Sequence, residues 1–444
     1  MEKIISTPCG EIRGADCRLP GVVAFKGIRY ATAGRWEYPR LVESWDGVYD
    51  ATSYGNCSYQ PRAFYNEGEN LKKAFYYNEF RKGESYTYSE DCLFLNIWVP
   101  DDATPDSRLP VLFYIHGGGF VGGCGHEKHF DDPVWPTKGV IGVTINYRLG
   151  PMGFLCLPEL EEEAGHTGNY GLFDQICALE WVNKNISAFG GDPSKITIMG
   201  QSAGAMSVQQ ICTSPLSEGM FRGAVMSSGC GLGAMMMSTS EKSGAFWREV
   251  MKRAGCNTLA DFRALPAEEL FRHWQEAKKQ VKGGMLSTAP VKDGHFIVEG
   301  SSPKKIPYIV GSNSHDIAPP ILVSAANKWG KREKLQNFTY LFDRMLPGDE
   351  CGAWHSSDLW YWFGTLPNCW RPMEQKDYDL SNQMTTYLCN FVKNGDPNGE
   401  NQPAWNPVSE RKKMLRLGEG ETRMGKPNML KLIKIMLTNK AVGE

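Results

Sequence analysis

The sequence predicts an α/β fold in which a mostly parallel, twisted sheet carries helices on both faces. Two short runs rich in β-branched and aromatic residues, PVLFYIHGGGF from Pro110 and VIGVTINYRLG from Val140, end in glycine or polar residues, as buried parallel strands do. Between such strands, GLFDQICALEWVNKNI from Gly171 places apolar residues at helical spacing. Strands that alternate with helices favour a parallel sheet covered by helices on both sides.

The remaining elements follow in chain order. VVAFKGIRYA from Val22 and LFLNIWVP from Leu93 are strand-like, whereas KITIM from Lys195 predicts a short strand that leads into the helix-permissive AGAMSVQQI. The helix near residue 171 is expected to bury one apolar stripe and to leave three charged residues outside it. The stripe comprises Leu172, Ile176, Leu179 and Ile186, and the charged residues are Asp174, Glu180 and Lys184.

Length and composition favour one large globular domain. The chain has 444 residues, of which 41% are hydrophobic and 22% charged, values typical of ordinary globular proteins. Neither an internal repeat nor a Pro/Ser-rich linker divides it. We therefore expect residues 1–444 to form a single domain.

The charge balance argues against nucleic acid as a partner. Lys plus Arg total 48 and Asp plus Glu total 50, for a net charge of -2, so no basic excess is available to neutralise phosphates. The sequence has no apolar run of about 18 residues and no signal-peptide pattern at its start. Thirteen cysteines lack CxxC pairs, as is typical of reduced thiols. We expect no membrane span and a cytoplasmic location, unless a leader has been removed.

The stretch GQSAG places Ser202 at a sharp turn from strand to helix. Side chains two residues before or after this serine would collide with the strand or the helix, which explains Gly200 and Gly204. The turn would expose the hydroxyl above the sheet and place the Ala203 amide at a helix N-terminus, where it could bind an oxyanion. The alternative is a glycine-lined contact between helix and strand without catalytic meaning.

HGGGF, from His116, is the second glycine-rich signal. Consecutive glycines leave backbone amides exposed and able to point at one position, as a tetrahedral oxyanion requires. Gly118 and Gly119 are therefore candidate donors. A flexible hinge or a phosphate loop is the alternative, but no GKS or GKT follows.

Several motifs in order resemble the type B carboxylesterase family of α/β-hydrolases, and they span most of the chain. The motifs are FKGIRYA from Phe25, SEDCLFLNIWVP from Ser89, HGGGF from His116, INYRLGPMGFL from Ile145, GNYGLFDQ from Gly168, NISAFGGDPSKITIMGQSAGA from Asn185 and FVKNGDPNG from Phe391. The resemblance implies an α/β-hydrolase fold with small antiparallel strands at the N-terminus. It also implies hydrolysis of carboxylic esters without a metal or an organic cofactor.

The resemblance further implies a catalytic triad of Ser202, Asp316 and His355. His355 lies in GAWHSSDLWYWFGTL, which matches the family's GxxH loop, and Asp316 falls on the acid of a GxNxxE element. The sequence departs from that element because aspartate replaces the commoner glutamate and Ile317 replaces the usual glycine. To keep the hydrogen bond, the shorter acid would require a slight shift of its strand end or of His355.

The chain is also shorter than its family in one region. Asp316 lies 114 residues after Ser202, but His355 follows it after only 39, where relatives usually insert several helices. We expect a reduced helical cap and a pocket that is wider or differently covered, lined by insertions around residues 58–90, 230–290 and 317–350.

The loop from Cys57 to Cys92 is commonly closed by a disulfide in the family, but whether the two cysteines pair here is open, because a reducing cytosol opposes it. The loop has many aromatic residues and no tryptophan, which disfavours a choline site. Its aromatic residues either line an aryl-ester pocket or pack the loop onto the body: Phe64, Tyr65, Phe75, Tyr76, Tyr77, Tyr86 and Tyr88. Gln201 replaces a glutamate often found there in relatives, which removes a negative charge beside the site.

Two histidines, His126 and His129, form an HxxH that is too little for a metal site, so a surface pair is expected. His116 is expected to be a structural neighbour of the glycine-rich loop.

The sequence thus predicts a serine carboxylic ester hydrolase that acts through an acyl-enzyme on small to medium carboxylic esters, with aromatic esters as one option. Its partners would be the ester and water, and the sequence does not indicate an oligomeric state. Two alternatives are a feruloyl or tannin-type aryl esterase and an inactive esterase-like interaction module. The second is disfavoured because all three triad residues are present.

Overall fold

A computed structural model describes residues 2–69, 74–232, 236–331, 336–408, 413–418 and 420–438. Its strands are β1 (Glu2–Thr7), β2 (Gly10–Asp16), β3 (Val22–Arg29), β4 (Ala31–Thr32), β5 (Arg40–Leu41), β6 (Val48–Asp50), β7 (Cys57–Ser58), β8 (Tyr88–Ser89), β9 (Phe94–Pro100), β10 (Leu109–Ile115), β11 (Ile141–Ile145), β12 (Gly191–Gln201), β13 (Gly223–Ser227), β14 (Ser238–Thr239), β15 (Val291–Lys292), β16 (Tyr308–Asn313), β17 (Phe338–Phe342), β18 (Met414–Leu417) and β19 (Arg423–Gly425).

The α-helices connect and cover these strands. They are α1 (Ala74–Phe80), α2 (Gly150–Phe154), α3 (Pro158–Ala164), α4 (Tyr170–Asn185), α5 (Ala203–Thr213), α6 (Ser240–Arg253), α7 (Leu259–Ala264), α8 (Ala267–Gln280), α9 (Pro319–Gly330), α10 (Leu359–Phe363), α11 (Gln375–Asn394) and α12 (Met429–Thr438).

One large mixed sheet organises the molecule. Within the described residues it has 13 strands, in the order β1-β2-β3-β9-β11-β10-β12-β13-β16-β17-β18-β19, with β6 beside β2. The central strands from β11 through β18 pair in parallel. The pairs β1–β2, β2–β3 and β3–β9 near the N-terminus are antiparallel. The predicted mostly parallel sheet with N-terminal antiparallel strands is therefore confirmed.

Strand β10 shows why the central segments are continuously apolar. Successive side chains of a strand point to opposite faces. Val111, Phe113 and Ile115 accordingly join one hydrophobic cluster with residues of α4 and α5. Leu112 and Tyr114 join another cluster with residues of α10 and α11. Both faces are covered by helices, so both sets of side chains are buried.

The predicted apolar stripe is buried, with Leu172, Ile176 and Leu179 on α4 and Ile186 just after its end, but one of the charged residues outside the stripe is buried too. Asp174, which lies outside the stripe, is fully buried. Its carboxylate accepts hydrogen bonds from Arg148 Nε and Nη2 at 2.9 and 2.7 Å. A buried carboxylate needs such a partner, and this one comes from the loop after β11.

The three stretches predicted as insertions contain distinct elements. Residues 58–90 include α1, residues 230–290 include α6, α7 and α8, and residues 317–350 include α9 and β17. Helix α9 packs against β16, and β17 is part of the main sheet. Residues 70–73, 233–235 and 332–335 of these stretches lie outside the described part of the chain. That the three stretches cover the pocket stays a prediction, as does the single domain.

None of the helices in the described ranges combines the length and apolar character needed to cross a bilayer.

Candidate active site

The candidate site lies at the carboxyl ends of neighbouring parallel strands, where ligands bind in open α/β sheets. The loop of residues 117–123, here named the glycine loop, begins two residues after the end of β10. Ser202 follows β12, Asp316 follows β16, and His355 lies in the loop between β17 and α10. The sheet therefore brings together residues that are far apart in sequence.

Ser202 occupies a strained turn between β12 and α5. Its backbone has φ 56° and ψ −125°, a conformation that residues with a Cβ atom rarely adopt. The Ser202 amide donates to the Ser227 carbonyl of β13 at 2.9 Å, which holds the turn against the sheet. The predicted turn from strand to helix is present.

Gly200 and Gly204 permit this turn because no side chain fits at either position. A Cβ atom on Gly200 would lie 2.3 Å from the Gly204 carbonyl oxygen. A Cβ atom on Gly204 would lie 2.1 Å from the carbonyl oxygen of Ile115 at the end of β10. The two glycines let α5 start close against two strands, as their spacing around Ser202 predicted.

The glycine loop adopts backbone conformations that favour glycine. Gly118 has φ +109° and Gly119 has φ +64°. The Gly118 carbonyl accepts hydrogen bonds from the amides of Val121 and Gly122, at 3.1 and 3.0 Å. In the part of the chain that the structure describes, the amides of Gly118, Gly119 and Ala203 donate to no acceptor. These amides are available to a ligand.

Asp316 and His355 form a direct hydrogen bond, with 2.5 Å between His355 Nδ1 and Asp316 Oδ1. The same carboxylate accepts from the Asn313 amide at 3.1 Å and from the Ile317 amide at 2.8 Å. These bonds fix the carboxylate at the end of β16. The aspartate therefore reaches the imidazole although it is one methylene shorter than the glutamate of the family pattern.

The other imidazole nitrogen contacts Gln201, whose Nε2 lies 3.2 Å from His355 Nε2. Because an amide nitrogen can only donate, His355 Nε2 is the acceptor in this arrangement and the imidazole proton is on Nδ1. This contact joins residues 154 positions apart, and sequence reasoning did not find it.

The electrostatics of the pair favour its charged forms. Burial disfavours the imidazolium, but the Asp316 charge and hydrogen bond outweigh it and raise the pKa of His355 above its ordinary value. Burial likewise opposes the carboxylate, yet His355 lowers the pKa of Asp316 below its ordinary value. Asp316 is therefore ionised at neutral pH.

A pocket of about 410 Å³ opens beside these groups, and its wall includes Ser202, His355, Gln201 and residues 117–119. Tyr65, Tyr76, Phe80, Phe130, Ile317 and Leu359 supply aromatic and aliphatic surface. Asp316 lies behind His355 and is fully buried as a side chain.

Asp358, near the candidate site, is a second buried acid. Its hydrogen bonds to three other segments were not predicted from the sequence. Its carboxylate is buried and accepts hydrogen bonds from Ser227 Oγ at 2.7 Å, from the Tyr340 hydroxyl at 2.9 Å and from Asn313 Nδ2 at 3.1 Å. Burial raises the pKa of Asp358 above its ordinary value. The sequence does show an acidic residue shortly after the histidine of the GxxH loop. Its hydrogen-bond partners could not be predicted, because they lie on three other segments.

The predicted surface pair of histidines is wrong. His129 is 2% exposed and stacks on Phe80, and burial lowers the pKa of His129 to about 3. His126 is partly buried and faces Cys57. His116 packs against Tyr147, and its Nδ1 lies 2.8 Å from the Gly117 carbonyl oxygen, so it is a neighbour of the glycine loop.

The Cys57–Cys92 loop is not closed by a disulfide, since both thiols are free. Some of its aromatic residues line the pocket, and others pack the loop onto the body; that the pocket binds aryl esters stays a prediction. Tyr65 and Tyr76 line the pocket, and Phe75 packs edge-on against Trp354 at 5.1 Å.

The sheet order and the pocket at its carboxyl edge define an α/β-hydrolase. The sequence profile of the carboxylesterase family matches residues 1–346 and 321–432. The chain belongs to this family.

Two curated relatives illustrate the range of the family. The para-nitrobenzyl esterase of Bacillus subtilis is 35% identical over 327 residues, which cover 70% of this chain and 62% of that protein. The bile salt-activated lipase of Mus musculus is 30% identical, with 91% of this chain and 81% of that protein covered. The chain thus matches less than two thirds of the length of the Bacillus relative.

Solved structures agree with the fold over nearly the whole chain. A structure of PNB esterase superposes with a TM-score of 0.80 at 26% identity and covers 99% of this chain and 100% of its own. An esterase from the anaerobe Clostridium hathewayi, described as able to hydrolyze aliphatic aromatic polyesters, has a TM-score of 0.82 at 26% identity, with 98% of both chains covered.

Proposed function

We propose that the protein hydrolyses carboxylic esters through an acyl-enzyme formed on Ser202. The observation that carries this proposal is the 2.5 Å hydrogen bond between His355 and Asp316, on an imidazole that lines the same pocket as Ser202. A weak alcohol nucleophile needs a base, and the base needs an orienting group.

In the proposed reaction, the Ser202 hydroxyl replaces the Gln201 amide at His355 Nε2, and this nitrogen takes the hydroxyl proton as the oxygen attacks the ester carbonyl. The carbonyl π electrons move onto the oxygen, and the collapse of the tetrahedral intermediate breaks the ester bond. His355 returns the proton to the leaving alcohol. Water then attacks the acyl group by the same route, and the acid and Ser202 are released. Asp316 keeps the Nδ1 proton in place and stabilises the imidazolium.

The proposed oxyanion hole consists of the amides of Gly118, Gly119 and Ala203. Their lack of an acceptor among the described residues supports this role, as does the position of Ala203 at the N-terminus of α5. Each donor to the developing charge contributes about 3 kcal/mol. No step of this reaction requires a metal or an organic cofactor.

The proposed substrates are small to medium esters, including aromatic ones. A pocket of about 410 Å³ with tyrosine and phenylalanine on its wall supports an aryl acid or alcohol. The names of the para-nitrobenzyl esterase and of the Clostridium polyester-hydrolysing enzyme point the same way. A feruloyl or tannin-type aryl esterase is the second candidate, and the same aromatic wall favours it.

The proposal is tested by turnover of p-nitrophenyl acetate. Ser202→Ala should remove turnover and leave the unfolding midpoint within a few degrees of the wild type. Ser207→Ala is the matched control, because this buried serine lies on the same helix and its hydroxyl has no hydrogen-bond partner in the described structure.

Retained turnover in Ser202→Ala would refute the assignment of the nucleophile. An inactive wild type would favour the interaction module. A panel of alkyl acetates against methyl ferulate and galloyl esters separates the two esterase candidates by their kcat/KM ratios.

A further inference from the structure

A cluster of thiol and imidazole ligands lies outside the proposed catalytic groups. Cys57 of β7 meets Cys124 and His126, which follow the glycine loop, and the three ligand atoms lie within 4.8 Å of one another. Both thiols are buried and free. Across the described ranges, this is the one convergence of three or more cysteine, histidine or carboxylate ligands.

The spacing of the ligands fits a tetrahedral zinc ion. Zinc binds thiolate at about 2.3 Å and imidazole at about 2.0 Å, so a tetrahedral angle places sulfur and nitrogen about 3.5 Å apart. Cys57 Sγ and His126 Nε2 are separated by 3.5 Å. A single thiol–imidazole hydrogen bond explains that contact, but it does not explain why a second buried thiol converges on the same point.

Neighbouring side chains hold the imidazole in place. The Tyr54 ring stacks on His126 with a centroid separation of 4.5 Å and an interplanar angle of 10°. This contact fixes the ring so that Nε2 faces Cys57, whereas an unconstrained imidazole would rotate. His126 also borders a polar surface pocket of about 260 Å³, which provides access for a metal ion and for water.

A Zn²⁺ ion bound by two thiolates has no net charge, and the charged side chains around the site are paired with one another. Glu127 pairs with Arg62 at 2.7 Å and with Arg81 at 3.4 Å, and Arg81 also pairs with Glu67, so two arginines balance two carboxylates in this region. The Arg62 side chain is 7% exposed, and its Nε and Nη2 atoms have no hydrogen-bond partner within the described residues. Arg62 interacts electrostatically with both thiols.

We propose that Cys57, Cys124 and His126 bind one Zn²⁺ ion, with water in the open fourth position. Binding forms two Zn–S bonds and one Zn–N bond; the hydrated ion keeps one water and releases the others, and the two thiols release two protons to solvent. The thiolate and imidazole ligands favour Zn²⁺ over Mg²⁺ or Ca²⁺, which prefer oxygen.

The ion would join two segments that form the pocket. Gln60, three residues after Cys57, donates from Nε2 to the Gly123 carbonyl at 3.1 Å and accepts from the Gly123 amide at 2.9 Å. The same loop carries Gly118 and Gly119. Zinc would therefore stabilise the wall of the pocket without touching the substrate.

The experiment measures zinc by mass spectrometry in full-length protein that has been reduced, treated with chelator, incubated with Zn²⁺ and desalted. We expect one zinc per wild-type chain and a higher unfolding midpoint with zinc than without it. Cys57→Ser and Cys124→Ser should each lose most of the bound zinc and the rise in midpoint. Cys92→Ser is the matched control, because Cys92 is also a buried free thiol, and it should keep both.

Three results would overturn the site: no zinc in the wild type, equal zinc in the wild type and the Cys57→Ser/Cys124→Ser double variant, or a Cys57–Cys124 disulfide that persists in the purified protein. If the serine variants do not fold, Co²⁺ added to the wild type gives the decision. Thiolate-to-cobalt absorption supports the site, and its absence refutes it. None of these readouts depends on ester turnover.

Discussion

Gln201 contacts His355, the base of the proposed reaction, through an uncharged amide. Its amide lies against His355 Nε2, the nitrogen that must accept the Ser202 proton. A glutamine can hold the imidazole in the neutral tautomer without adding a negative charge. A glutamate there would instead stabilise the imidazolium.

Gln201→Glu should therefore raise the pKa of His355 further. His355 works as a base only when it is neutral. The pH at which kcat/KM falls on the acidic side of the profile should therefore rise by about one unit, and activity at lower pH should decrease. The check is a pH–rate profile with p-nitrophenyl acetate. Gln209→Glu, on α5 and outside the pocket wall, is the control, and an unmoved acid limb in Gln201→Glu would contradict the interpretation.

Asp316→Asn tests the role of the carboxylate. The asparagine amide cannot hold the Nδ1 proton in the same way, so the imidazole is expected to adopt the wrong tautomer and kcat to fall by about 10⁴. Asp316→Glu keeps the carboxylate and should retain far more activity. Equal losses in the two variants would indicate that packing, and not charge, matters at this position.

Local elements around the site could be predicted from the sequence, because their signals are local. The glycines at 200 and 204 and the apolar run before Ser202 predict the turn, although β12 is longer than KITIM and spans Gly191–Gln201. Buried polar pairs could not be predicted in this way. Arg148 and Asp174 are 26 positions apart, and Gln201 and His355 are 154 apart, so only the fold brings each pair together.

The start of α5 depends on a close approach of backbones. Gly204→Ala would place a methyl group 2.1 Å from the Ile115 carbonyl oxygen, where neither atom can yield without moving β10. We expect the free energy of unfolding to fall by about 3 kcal/mol, or the chain to be insoluble.

The matched control for Gly204→Ala is a glycine-to-alanine change that should raise the free energy of unfolding. Gly244 lies within α6, and a Cβ atom there would meet nothing closer than 3.7 Å. Gly244→Ala should therefore stabilise the protein by about 0.5–1 kcal/mol through its helix propensity. Urea unfolding of both variants provides the measurement, and a neutral Gly204→Ala would show that the contact relaxes at little cost.

Burial of His129 links the stability of the whole molecule to pH. Its pKa is lowered to about 3 by burial, so the folded protein keeps it neutral while the unfolded chain binds a proton below the ordinary value of about 6.5. The contribution of neutral His129 to the free energy of unfolding is therefore at its full value above the pKa of the unfolded chain. It is lost as the pH falls toward 3, by about 1.4 kcal/mol for each pH unit.

His129→Phe should flatten this decline. A phenylalanine suits a site between Phe80 and Phe130, and it removes a buried Nδ1 that has no partner in the described structure. The free energy of unfolding in urea, measured at several pH values between 7.5 and 5, should fall less in the variant than in the wild type. His273→Phe, on the outward side of α8, should retain the wild-type slope. Parallel curves for the wild type and His129→Phe would contradict the buried neutral state.

Strands β10, β12 and β16 each deliver a different part of the pocket, and the loop after β17 delivers another. The parallel pairing of these strands joins segments separated by long stretches of chain, and such pairings are slow to form during folding. Regain of ester cleavage after dilution from denaturant should therefore lag behind the regain of helical circular dichroism. Catalysis would report the final stage of refolding, when the distant parts of the polypeptide have all docked.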